Sequence, residues 1–282
     1  MAHLSPLESL PTEMLQGILA ALPDTTSLEA TALTRPRLFH AFKAAENTIV
    51  KSVVGCQIGS ELLHDALAVH ASIKVDDCRI KEVEAILAQY CVRDQKPFHA
   101  LQEWTLAQAH ILAKTQKNVE YFSNKFIAQI TGIPPFSSET STASARQPLT
   151  GAEKNRIYRS FYRFEIYAKI FESGFMSDNM QDQHCLNFAP WENEQLCCIK
   201  DFLANIITRV IDEVSNVMPS RFPDRSFDRA DEWGITPHQD LFYLQNHLSL
   251  GLSHIQHFAA AKTSKEKHDL VETWPNTWGW NL

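Results

Sequence analysis

The sequence predicts an all-α protein, on three observations. Apolar residues recur three and four positions apart over most of the chain, the spacing of one helical face. The strict alternation that marks half-buried strands is scarce. Glycine contributes only 9 of 282 residues, few for a fold built on many tight turns. The chain is 44% hydrophobic and 21% charged, enough for one large domain or two ordinary ones with real cores. Its formal net charge is −7, with acids and bases interspersed. A phosphate-binding surface needs clustered Lys and Arg, so nucleic acid is not an expected partner.

The elements follow in order. Ser9 to Pro23 places Leu10, Met14, Leu15, Ile18, Leu19 and Leu22 on one helical face. Pro11 suits the first turn, Glu13 complements the positive end of the helix dipole, and Pro23-Asp24 stops the helix. A helix this short is marginal alone and must bury its face against something. Ser27 is placed to cap a second short helix, and Thr34 a third with Pro36 in its first turn. The third is expected to run through Val54, with Leu38, Phe42, Ile49 and Val53 on one face. Residues 5–55 thus read as three short helices joined by tight turns.

Residues 58–130 have helical spacing throughout, and Pro134-Pro135 ends the block. The Ser/Thr-rich stretch from 136 to 149 carries too few large apolar residues to offset its ordering entropy and reads as a flexible linker. Order returns at residue 149. Ile157, Phe161, Phe164, Ala168 and Phe171 form a stripe that Tyr158, Tyr162 and Tyr167 broaden, the pattern of a central helix packed on several sides. A long amphipathic helix then starts at Pro190 and carries Leu196, Ile199, Leu203, Ile206, Val210, Val214 and Val217. The segment from Thr236 to Ala261 is helical again, with Gly251 its weak point.

Chemical motifs are few. There is no GxSxG, no Gly-rich phosphate loop and no HExxH, so no catalytic residue and no cofactor is expected. His238-Gln239-Asp240, with His247, His254 or His257, has the ingredients of an iron-binding facial triad. A metal-dependent enzyme is therefore the remote alternative. The pair falls at a helix start rather than on a barrel strand, where Thr236 or Asp240 serves better as a cap. His254 with His257, or His184 and Cys185 with Cys197 and Cys198, lack structural-zinc spacing. Cys56, Cys78 and Cys91 complete the six cysteines. With no CxxC and no leader-like N-terminus, all six are expected reduced and mostly buried, in cytoplasm or nucleus. No apolar run approaches the roughly 18–20 residues that span a bilayer. Arg156, Arg159 and Arg163 make a basic stripe, expected to be a solvated face. Trp274, Trp278 and Trp280 either form part of a partner site or plug a groove between helices.

The first 50 residues resemble an F-box. The resemblance lies in the leucine-proline-acid start of LPTEMLQGIL, a leucine after the first helix, a second short helix, and an arginine- and aromatic-bearing third. Leu10, Pro11, Glu13, Leu15, Ile18, Leu19, Leu22, Leu28, Leu33, Leu38 and Phe39 stand at the matching places. One departure is that LTRPRLFHAF lacks the tryptophan many F-boxes carry there; Phe39 or Phe42 is the substitute. The stretches LTGAEKNRIYRSFYRFEIYAKIF and FAPWENEQLCCIKDFL are similar to the C-terminal part of fungal F-box-like proteins. The resemblance implies an F-box-like domain over 1–55, a helical region over 56–135, the linker over 136–149, and a C-terminal helical region over 150–282 packed with 56–135. It also implies a function without chemistry. The F-box docks on a Skp-type adaptor, which ties it to a cullin–RING ubiquitin ligase, and the C-terminal region holds an unknown protein substrate near the ubiquitin carrier. The alternative is a stand-alone helical scaffold whose first three helices are one layer of its own core.

Overall fold

A computed structural model describes residues 9–73, 80–91, 103–132, 149–171, 185–217 and 238–272, without the side chains of 80, 215–217 and 238–243. The linker at 136–149, except its last residue, and the tryptophans at 274, 278 and 280 lie outside the described residues. Among the described residues there are twelve helices and no strand. None of these helices is long and apolar enough to cross a membrane. The chain divides into two compact units. The first comprises residues 1–75 and 84–121, the second residues 76–83 and 122–282.

The first unit contains α1 (Thr12–Ala20), α2 (Thr25–Leu33), α3 (Pro36–Ala44), α4 (Glu46–Ile58), α5 (Ser60–Ile73), most of α6 (Ile80–Cys91) and the start of α7 (Leu106–Gly132). Leu15, Leu38 and Ala41 form one buried cluster, with Leu10 partly buried against it. Side chains tie helix ends across it. Arg37 Nη2 donates to Leu10 O at 2.7 Å, and Gln16 Nε2 to Ala41 O at 3.2 Å. Ser52 Oγ donates to Ala20 O at 3.0 Å, and the Thr25 N–H to Gln57 Oε1 at 3.1 Å. Tyr90 Oη donates to the buried Asp65 Oδ1 at 2.6 Å.

Local expectations change here in three places. The third helix does not continue through Val54. It breaks at Ala45, whose φ of −139° and ψ of 28° lie outside the helical region, and α4 begins anew. Partners distant in sequence hold the break. Glu46 accepts the Leu106 N–H and Asn47 the Trp104 N–H, both at 3.1 Å. The cap of α2 is Asp24 rather than Ser27; its carboxylate accepts the Ser27 N–H at 2.8 Å and hydroxyl at 2.9 Å, which holds its pKa below the usual range. Thr34 does not cap α3. It ends α2, its hydroxyl donating to Thr31 O at 2.7 Å, and Arg35 precedes α3 with Pro36 in the first turn.

The second unit contains the end of α7, α8 (Gly151–Ile170), α9 (Pro190–Val217), α10 (His238–Ser249), α11 (Leu252–Ala260) and α12 (Ser264–Glu272). Thr150 and Glu153 form a capping box that starts α8. The central-helix expectation for α8 holds: Phe161, Tyr162, Phe164, Tyr167 and Ala168 are all buried. Phe122, Phe126, Phe161 and Phe202 pack as a ring cluster, the α7 and α8 phenylalanines against Phe202 of α9, with neighbouring centroids 5.2–6.3 Å apart. The buried line of α9 runs through Ile199, Phe202, Leu203, Ile207, Val210, Ile211 and Val214, so Leu196 and Ile206 sit at its margin. Helix α12, a charged stretch, lies within the span 150–282 expected to be helical.

The cysteine expectation is corrected. None of the five described is buried; Cys56, Cys197 and Cys198 are exposed, Cys91 and Cys185 half-buried. Cys56, near the end of α4, stands at the margin of the buried line of Ile49, Val50, Val53 and Val54 and is left exposed. On α9 the core takes Ile199 and leaves the adjacent cysteines outside.

Candidate functional site

The eleven residues on which the F-box resemblance rests divide by direction. Leu15, Leu19, Leu28 and Leu38 point inward and are fully buried. Leu10 and Leu22 are half-buried. Pro11, Glu13, Ile18, Leu33 and Phe39 are exposed, Ile18 at 38%, Leu33 at 66% and Phe39 at 38%. Met14, one turn before Ile18, is exposed at 56% and belongs with them. The helical period explains the division. Leu15 and Leu19, four apart, fill the core side of α1, while Met14 and Ile18, also four apart, are left outside. A continuous apolar spacing in the sequence is thus two adjoining stripes, one for the protein itself and one facing water. The exposed side chains are large and come from three helices, Met14 and Ile18 from α1, Leu33 from α2 and Phe39 from α3.

A second constellation lies within the second unit. Arg163 of α8 is only 5% exposed, paired with Glu192 in the first turn of α9, its guanidinium 4.8 Å from the Phe188 ring centroid. The expectation that the arginines at 156, 159 and 163 form one solvated face therefore fails at its third member; Arg156 is exposed and Arg159 half-buried. Glu192 also accepts the Ala189 N–H at 3.1 Å, and Asn193 Nδ2 donates to Cys185 O at 2.9 Å. These bonds fix the corner from which Leu186 and Trp191 project into solvent. Trp191 is an exposed tryptophan the sequence pattern did not single out, because a helix start beginning Pro-Trp-Glu reads as punctuation.

Two residues on from Arg163, the buried Glu165 accepts the Leu252 N–H at 2.7 Å and so caps α11. Lys169, 3.9 Å away, donates to Leu250 O at 3.1 Å. Burial raises the Glu165 pKa, and Lys169 and the Leu252 N–H oppose that. Gly251, between the two gripped residues, has φ +77°. Beside this corner the rings of His247 and His254 stack 5.1 Å apart, His247 Nδ1 lying 2.9 Å from His254 Nε2, with Phe258 edge-on to both. Burial lowers both histidines to about 4; the charge of His254 adds to this at His247, and those of His257 and Lys169 at His254.

Glu165 and the histidine pair thus join α8 to the start of α11 and α10 to α11. His254 turns to His247 rather than joining His257 on a metal. Among the described residues no group of three or more His, Cys, Asp or Glu is placed to hold a metal ion. His238 and Asp240 begin α10 and His184 precedes the described residues, so those side chains lie outside what is described. Compared with family models, curated proteins and solved structures, the chain finds no match.

Proposed function

We propose that this protein is a non-catalytic F-box adaptor, docking α1–α3 on a Skp-type subunit so that a protein substrate is carried to a cullin-based ubiquitin ligase. The observation that carries this is the outward apolar set Met14, Ile18, Leu33 and Phe39 on the three helices whose sequence resembles an F-box. Fully burying an exposed side chain of this kind contributes about 1.5–3 kcal/mol; these four are already partly buried, so they supply anchors to an interface whose remaining area must offset the entropy of association. The four buried leucines serve the helices' own geometry, and the partner meets the neighbouring stripe. The rest of the chain, with Trp191 and Leu186 exposed at a braced corner, is available to hold substrate.

Pro11→Ala with Ile18→Asp tests this. Both residues are exposed, so folding is expected to survive while co-purification with a Skp-type adaptor is lost. Unchanged co-purification would remove the docking model.

A second reading is favoured by a different observation. Leu15, Leu19, Leu28 and Leu38 are buried at home, and α1 and α2 both pack on α4. In that reading the protein is a stand-alone helical scaffold. It predicts that no Skp-type adaptor binds the intact chain at all.

A further inference from the structure

We propose that the exposed strip of α3 is an aromatic knob flanked by cations, and that it selects an adaptor whose apolar groove is rimmed with carboxylates. This rests on the docking function above and adds what the groove must carry. On α3, Leu38, Ala41 and Phe42 face inward, while Arg35, Pro36, Phe39, His40 and Lys43 are exposed. Arg35, Phe39 and Lys43 stand four apart, so one line along the helix reads cation, aromatic, cation. The His40 ring meets the Phe39 ring edge-on, centroids 6.2 Å apart.

Within α3 the strip is basic; on the neighbouring α1, Glu13 is exposed and is the one carboxylate among the docking positions. No carboxylate occurs between Glu29 and Glu46. Arg37, on the same helix, donates to Leu10 O and adds its charge nearby. Lys43 pairs with Glu46 at 2.7 Å, but its side chain is 53% exposed, and such a pair exchanges readily for another carboxylate. Asp24 is engaged in capping Ser27, and Glu29 lies 3.3 Å from His110, so the acids of α2 are turned to other work.

The whole chain carries −7. An acidic partner is therefore repelled by most of this surface and attracted by the α3 strip. That arrangement orients the encounter before any apolar contact forms, and it discriminates against adaptors whose groove lacks the rim. Phe39 then supplies the buried anchor, and the flanking cations set register around it. Phosphates are a poorer fit than carboxylates, because nucleic-acid affinity grows with the number of neutralised phosphates, and one nine-residue helix in an acidic chain offers few.

The test uses the full chain, a purified Skp-type adaptor, and association rates at about 0.05 M and about 0.5 M salt. The variant is Arg35→Glu with Lys43→Gln. Glutamate before α3 complements the helix dipole, and glutamine at 43 leaves Glu46 on the Leu106 N–H, so the fold is expected to hold, checked by circular dichroism. The expected result is association slowed roughly three- to tenfold at low salt, with the difference shrinking at high salt. Ile18→Asp, in contrast, should abolish binding at both. If the charge variant associates like the wild type while Ile18→Asp abolishes binding, the acidic-rim inference is overturned and the docking function stands. If the wild type binds no Skp-type adaptor, both go. If a short DNA duplex binds as tightly as the adaptor and loses its binding in the charge variant, the strip is a phosphate surface and the inference is wrong.

Discussion

The α1–α3 face and the α8–α11 corner treat misplaced side chains in opposite ways, although each unit also has exceptions: Asp65 is buried in the first, Leu186 and Trp191 exposed in the second. Around α1–α3 the anomaly is apolar and outward: Met14, Ile18, Leu33 and Phe39 face water. Around α8–α11 it is polar and inward: Arg163, Glu165 and His247 are buried. Each arrangement is unfavourable alone, and the remedies differ. The buried groups have theirs within the unit, in Glu192, the Leu252 N–H and His254. Met14, Ile18, Leu33 and Phe39 remain exposed among the described residues, and the docking proposal rests on that. The α8–α11 corner turns its buried polar groups to rigidity, whereas the α1–α3 face leaves its apolar stripe in water.

The largest effects should come from breaking the two interiors. Gly251→Val puts a branched side chain at φ +77°, with a Cβ 2.7 Å from both Glu165 oxygens. It should destabilise the second unit by about 3 kcal/mol or more in denaturant titration. Adding Glu165→Ala removes the collision but not the backbone strain, so stability should not return in full. Leu15→Ala, in the first unit, should cost about 3 kcal/mol through a cavity beside Leu38 and Ala41. If Gly251→Val is neutral, the picture of a gripped corner is wrong.

Next is the ion pair. Arg163→Ala leaves Glu192 without its cation and Phe188 without its cover, and should cost about 2–3 kcal/mol. Arg163→Met should cost less, since its chain restores packing over the ring. Equal losses would mean that charge rather than packing holds the corner.

The pH response follows from the same interior. His247 and His254 bind fewer protons folded, with pKa about 4, than unfolded, at 6.5. Their contribution is present above 6.5 and is lost as pH falls toward 4. Glu165 has the opposite sign. Its raised pKa gives stability that is full below 4.5 and is lost as pH rises through the folded value. The histidine contribution should lower the melting temperature between pH 6.5 and 4, partly offset by Glu165, and His254→Gln should remove part of the histidine share. A slope unchanged in His254→Gln would remove the histidine pair as its source.

Much of the helical plan was legible because periodicity and punctuation are local. Pro190 announced α9, the Phe/Tyr girth of α8 announced its burial, and Gly251 marked where α10 and α11 separate. What was illegible depended on partners far along the chain. Nothing near Ala45 says that Trp104 and Leu106 will take Asn47 and Glu46 and break a helix there. Arg163 resembles Arg156 and Arg159 in spacing, and only Glu192, 29 residues on, makes it a buried residue. The same limit applies at the candidate site. The spacing of α1 put Met14, Leu15, Ile18 and Leu19 in one apolar set, and only α3 and α4 packing on α1 decide which two remain outside.

That division gives the smallest stability effect and the sharpest contrast. Met14 and Leu15 are neighbours of similar size, one 56% exposed and one fully buried. Met14→Ser removes apolar surface that water already touches, so stability should move by no more than about 0.5 kcal/mol. Methionine also outranks serine as a helix former, so a small loss is expected from propensity alone. Adaptor binding should weaken by about tenfold or more if Met14 lies in the interface, because its apolar area is desolvated only there. A Met14→Ser protein with native stability and native adaptor binding would place the interface elsewhere on α1–α3. One with clearly lowered stability would mean Met14 belongs to the interior after all, and the outward stripe would shrink to Ile18, Leu33 and Phe39.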